Sequence, residues 1–107
     1  MNDARVAVHA DGDHVHLDVS GDVDLSNASD VETQLMAAIP NRATDVDLDL
    51  DEVTYLDSAG LQVVFALTVK LRRLQIDLRI LAAEGTAARH AIDMAGMSSI
   101  ANIDQSS

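Results

Sequence analysis

Between Asp45 and Leu50 the chain reads Asp-Val-Asp-Leu-Asp-Leu, so that Val46, Leu48 and Leu50 alternate with Asp47 and Asp49. A period of two sends these side chains to opposite faces of an extended strand, one apolar and one charged. The stretch from His14 to Ser20 repeats the design, with Val15, Leu17 and Val19 set against His14, His16, Asp18 and Ser20, and Asp77 to Ala82 follows it more loosely. Strands of a doubly wound sheet are buried on both faces and read as continuous apolar runs. Half-wet strands instead predict a sheet with helices on one side, which argues against a dinucleotide-binding architecture.

The segments between these strands carry the helical period. Ser26 to Ile39 places Ala28, Val31, Leu35, Met36 and Ile39 at helical spacing before Pro40-Asn41, with Asn27 or Ser26 as its expected cap. Ser58 to Leu74 aligns Leu61, Val64, Leu67, Thr68, Leu71 and Leu74, and Thr86 to Ala95 forms a third helix ended by Gly96. Arg5 to His9 reads as a weak opening strand, turned back through Asp11-Gly12-Asp13. The tail from Ser98 is expected to add a short edge segment and to be weakly ordered over about residues 102–107.

A chain of 107 residues suits one hydrophobic core, so residues 1–107 are expected to form a single domain. Phe65 and Tyr55 are its only Phe, Tyr or Trp residues, which makes that core aliphatic. The formal net charge of −11 repels phosphate backbones and anionic lipid, so neither nucleic acid nor membrane is an expected partner. Without cysteine there is no thiolate nucleophile and no zinc–thiolate site. The polar opening Met1–Arg5 leads into no signal-peptide core, and the apolar run Gly60–Val69 is far shorter than the roughly 20 residues of a membrane span, so a cytoplasmic location is expected.

Asp57-Ser58-Ala59-Gly60-Leu61 joins an acidic strand to an apolar helix and puts Ser58 at or beside the helix N-cap. As local structure this needs no function: Asp and Ser are common caps, and Gly60 permits close helix-to-sheet packing. The helix wheel adds a reason to look further. At about 100° per residue, Ser58, Gln62, Phe65, Ala66, Val69 and Arg73 fall opposite the buried leucines. An apolar stripe that starts at an exposed serine and ends at Arg72 and Arg73 reads as a docking face, unless a second helix or a homodimer covers it.

Val53-Thr54-Tyr55-Leu56-Asp57-Ser58-Ala59-Gly60-Leu61 resembles the phosphorylation segment of the STAS-domain anti-sigma factor antagonists, and Gly21-Asp22-Val23-Asp24-Leu25 resembles their second signature. The resemblance covers essentially the whole chain. It implies an α/β fold, a STAS-like single domain with a four- to five-stranded mixed sheet and helices packed mainly on one face. It further implies a partner switch in transcription regulation and stress response, in which the antagonist binds an anti-sigma factor serine kinase until phosphorylation of Ser58 breaks the complex and a serine phosphatase resets it. Asp22, Asp24, Asp57, Ser58, Ala59, Gln62, Phe65 and Val69 would form the partner-binding surface. Ala59 stands where the family frequently has a second serine.

Three other readings are open to the same residues. Ser58 as a hydrolytic nucleophile would need a glycine where Leu56 stands and a histidine in reach, for which His90 is the candidate, so no catalytic residue is expected. His14 and His16 share a strand face that would lie near Asp47 and Asp49; these read as solvated polar residues, with no metal or other cofactor expected. The strongest alternative is a STAS module that binds a small ligand or serves as a scaffold in a stress-signalling complex without serine phosphorylation.

Overall fold

The structure, a computed structural model, describes residues 3–96 and 103–104. Strands β1 (Arg5–Asp11) and β2 (His14–Val23) form an antiparallel hairpin whose turn holds Gly12 at φ +63°. Strands β3 (Asp45–Leu56), β4 (Asp77–Leu81) and β5 (Ile103–Asp104) then join in parallel, in the spatial order β1-β2-β3-β4-β5. Helices α1 (Ala28–Ala38), α2 (Ser58–Arg73) and α3 (Ala87–Met94) fill the three crossovers. Each crossover steps to the next strand in the same direction, so right-handed connections bring all three helices to one face of the mixed sheet.

That face is the one the alternation marked. Val15, Leu17 and Val19 of β2, Val46, Leu48 and Leu50 of β3, and Leu78 and Ile80 of β4 are buried. Val31 and Leu35 of α1, Val63, Val64, Leu67 and Leu71 of α2, and Ala88 and Ile92 of α3 complete the same core. Apolar burial at roughly 25 cal/mol per Å² is what holds these layers together. The tail expected to be weakly ordered lies outside the described residues, apart from Ile103 and Asp104 in β5.

Three local expectations change. Strand β3 runs six residues past Leu50, where the strict alternation ends: its buried positions pass from Leu50 to Val53 to Leu56, slipping phase twice. The pairing explains this, since the β2–β3 register shifts between Asp18 and Ser20 and again between Gly21 and Asp22. Each irregularity moves a face by one residue. Gly21 serves the second: it takes φ +87°, and a Cβ there would lie 2.4 Å from the Asp3 carbonyl oxygen.

On α2 the buried stripe includes Val63, while Leu61 is half-buried and Leu74 is exposed. Leu74 is the C-cap, its N–H bonded to the Lys70 carbonyl, and the chain turns there. Asn27 sits at the start of α1 without capping it forward. Its side chain turns back, donating to the Asp22 carbonyl at 2.8 Å and accepting the Asp24 N–H at 3.0 Å. The helix cap residue is thus spent on shaping the preceding loop.

Candidate functional site

The C-terminal ends of β2 and β3 converge, with Val23 paired to Leu56, and both chains leave the sheet there: one into the 24–27 loop, the other into α2. Gly60 lets them close up. A Cβ at this position would stand 2.5 Å from Leu56 Cδ1 and 2.9 Å from the Val23 carbonyl oxygen, so any larger residue would push α2 off the sheet.

Asp57 ties the two exits together. As N-cap of α2 its Oδ1 accepts the Gly60 N–H at 3.0 Å, and its Oδ2 accepts the Leu25 N–H at 3.1 Å. Its own N–H reaches the Val23 carbonyl at 3.3 Å. Asp22 accepts the Thr54 hydroxyl at 2.5 Å, and Asp24 accepts both the backbone N–H (2.9 Å) and the hydroxyl (2.5 Å) of Ser26. Carboxylates that accept such bonds fix a short loop in one shape.

Ser58, the first residue of α2, is exposed beside this fixed loop. Its hydroxyl has no hydrogen-bonding partner among the described residues. Down the same helix Gln62 is exposed, Phe65 is 46 % exposed and Val69 is 37 % exposed, while Ala59 and Ala66 are half-buried. The expected outer stripe therefore exists as a surface. Phe65, Ala66, Val69, Arg73 and Leu74 line one wall of an open groove whose other wall is Glu32 and Met36 of α1. His90, the one histidine considered as a base for Ser58, is exposed on α3.

The expected partner-binding set leaves out two exposed residues of the quoted motifs that lie beside Ser58: Leu25, 82 % exposed at the tip of the Asp57-held loop, and Tyr55, 52 % exposed near the end of β3. An isolated leucine after an acidic turn signals nothing by period; only the fold puts it next to the helix N-terminus.

A second polar cluster covers the bare face of the sheet, around the N-terminal ends of β2 and β3. His14 Nδ1 is hydrogen-bonded to Asp45, and its Nε2 is 3.3 Å from Asp47 Oδ2. His16 places Nδ1 3.6 Å from the same Asp47 oxygen and Nε2 3.2 Å from Asp18 Oδ1. Arg79 grips Asp47 with Nε and Nη2, each at 3.2 Å. Asp47, expected to be solvated, is only 8 % exposed, because β4 brings Arg79 and β2 brings both imidazoles against it. The bond to Asp45 holds the His14 pKa above its ordinary value, and the same bond, with that from Thr44, holds Asp45 below its own. Desolvation raises the Asp49 carboxyl.

A mixed sheet in sequential strand order, helices on one face and a capped, exposed serine opening the second helix define a STAS-type α/β domain. The STAS domain family model matches residues 5–107, and the chain belongs to that family. It is 32 % identical over 78 residues to the anti-sigma-B factor antagonist of Listeria monocytogenes, covering 73 % of this chain and 68 % of that protein. It is 37 % identical over 60 residues to a Bordetella bronchiseptica chain that carries the name of an anti-sigma factor antagonist, BtrV; the match spans 56 % of this chain and about half, 52 %, of the relative. Among solved structures, an anti-sigma factor antagonist from Mycobacterium paratuberculosis superposes with a TM-score of 0.86 at 23 % identity, over 97 % of this chain and 87 % of that one, which establishes the shared fold.

Proposed function

We propose that this chain is an anti-sigma factor antagonist that docks on an anti-sigma factor serine kinase and is switched off by phosphorylation of Ser58. The observation that carries the reading is the placement of Ser58: exposed, at the head of α2, next to a loop that Asp57 holds in place and continuous with the apolar stripe of Phe65 and Val69. The relatives named as anti-sigma factor antagonists support it.

The chemistry follows from that placement. The Ser58 hydroxyl would take the γ-phosphoryl group of ATP held by the kinase, releasing ADP and a proton. The product adds about −1.5 to −2 charges to a surface that had offered a small hydroxyl. The free N–H groups of a helix start favour such a group, but Asp57 already occupies the Gly60 N–H, Asp24 lies in the loop tied to it, and Asp22 sits at the end of β2 just before that loop. The phosphate therefore meets carboxylates, and in an interface it must be desolvated, so docking is lost while the fold persists. A serine phosphatase would restore the docking form.

The test is to incubate the chain with ATP and the candidate serine kinases of its own genome, mapping phosphate by mass spectrometry and complex formation by gel filtration. Phosphate at Ser58 from one kinase, with Ser58→Ala binding that kinase and Ser58→Asp not binding it, is the expected result. Equal binding by the two variants, or no transfer to Ser58 from any kinase, overturns the switch and favours a ligand-binding or scaffolding STAS module.

A further inference from the structure

We propose that His14, His16 and Asp47 bind a late first-row divalent cation, zinc, on the bare face of the sheet, at the end remote from Ser58.

Carboxylates alone would not argue for an ion, since exposed acidic groups gather on many surfaces. The two imidazoles do. Asp47 Oδ2 lies 3.3 Å from His14 Nε2 and 3.6 Å from His16 Nδ1. A tetrahedral zinc with ligands at about 2.0–2.1 Å has ligand–ligand edges of about 3.3–3.4 Å. The first edge has the length a zinc ion would give it, the second is slightly longer, and the three donor atoms all lie within 4.8 Å of one another, so a small closure of the two rings onto Asp47 would complete the site.

The outer nitrogens supply an independent observation. His14 Nδ1 is bonded to Asp45, and His16 Nε2 is bonded to Asp18 at 3.2 Å. Each imidazole thus has its far nitrogen against a carboxylate and its near nitrogen within 3.6 Å of the Asp47 oxygen. This is the carboxylate–histidine–metal arrangement, in which the outer acid fixes the tautomer and makes the inner nitrogen a better donor. Both rings take it, on one strand, two residues apart on the same face.

Charge points the same way. Asp18, Asp45, Asp47 and Asp49 meet on this face with the single guanidinium of Arg79 as the cation paired to Asp47 among the described residues. Arg79 spans both oxygens of Asp47, yet a carboxylate offers about four lone-pair sites, so Oδ2 retains one for a metal. Imidazole with carboxylate selects zinc and its neighbours over magnesium or calcium, which prefer oxygen alone. Three protein donors leave a fourth position for water or for a group from another molecule.

The experiment uses the tag-free full chain, stripped with a chelator and titrated with zinc chloride by calorimetry above the imidazole range, while the histidine ring resonances are followed by NMR. One saturable zinc per chain is expected, with shifts at His14 and His16 and none at His90, which sits on α3. His14→Gln and His16→Gln should each weaken binding at least tenfold, and Asp45→Asn, which removes no ligand, about 10- to 100-fold. The wild-type NMR readout does not depend on any variant folding. Absence of saturable binding, or shifts at His90 equal to those at His14 and His16, overturns the proposal.

Discussion

Asp57 accepts the backbone N–H of Leu25 at 3.1 Å across 32 positions of sequence, while its other oxygen caps α2 through Gly60 at 3.0 Å. One carboxylate therefore sets both the start of the helix that carries Ser58 and the loop beside it. Asp57→Ala should lower stability by about 1–2 kcal/mol in urea unfolding, the size of a lost helix cap. Amide exchange at Leu25 should accelerate more than at core residues such as Leu48. Asp57→Asn, which keeps one acceptor oxygen, should cost less.

Gly60→Ala should be clearly destabilising. Its Cβ would meet Leu56 Cδ1 at 2.5 Å and the Val23 carbonyl at 2.9 Å, and the carbonyl cannot swing aside without opening the β2–β3 pair. Overpacking of this kind costs about 1–3 kcal/mol, so a lowered urea midpoint with little change in slope is expected. Gly12→Ala meets no atom within 4 Å and should cost only its backbone strain at φ +63°.

Phe65→Ala and Val69→Asp test the stripe on α2. Both side chains are exposed, at 46 % and 37 %, so unfolding free energy should move by less than about 1 kcal/mol. Kinase binding, measured by calorimetry, should fall at least tenfold if Phe65 is an anchor of the docking face. Leu67→Ala, buried on the opposite side of the helix, should show the reverse: a stability loss of about 2–5 kcal/mol.

The metal-free chain should become more stable as pH falls from about 8 to about 6. His14 has its pKa raised chiefly by the bond to Asp45, so its contribution is complete below the unfolded imidazole value and is lost as pH rises through the folded one. Asp45 is lowered, so its contribution holds above the unfolded carboxyl value and disappears as pH falls through its depressed one. The pair is therefore fully formed only between the carboxyl and imidazole ranges, about pH 4 to 6.5. Melting temperatures across this range, with a chelator present, should slope downward above about pH 6.5, and His14→Gln should flatten that slope.

The amino-acid sequence alone marks the strand faces, because the alternation of Val46, Leu48 and Leu50 with aspartates leaves one direction in which the core can lie. It determined the three helices to within two residues at each end, and the outward stripe of Phe65 and Val69, since a period near 3.6 needs only local order. Tertiary structure alone decided what depends on register. The two slips between β2 and β3 broke the alternation after Leu50, and the pairing of Val23 with Leu56 brought Leu25 to Asp57. Register also set His14 opposite Asp45 and His16 opposite Asp47, with Arg79 reaching Asp47 from β4. Three strands far apart in the chain must align before those side chains meet, and no local period encodes which aspartate will face which histidine.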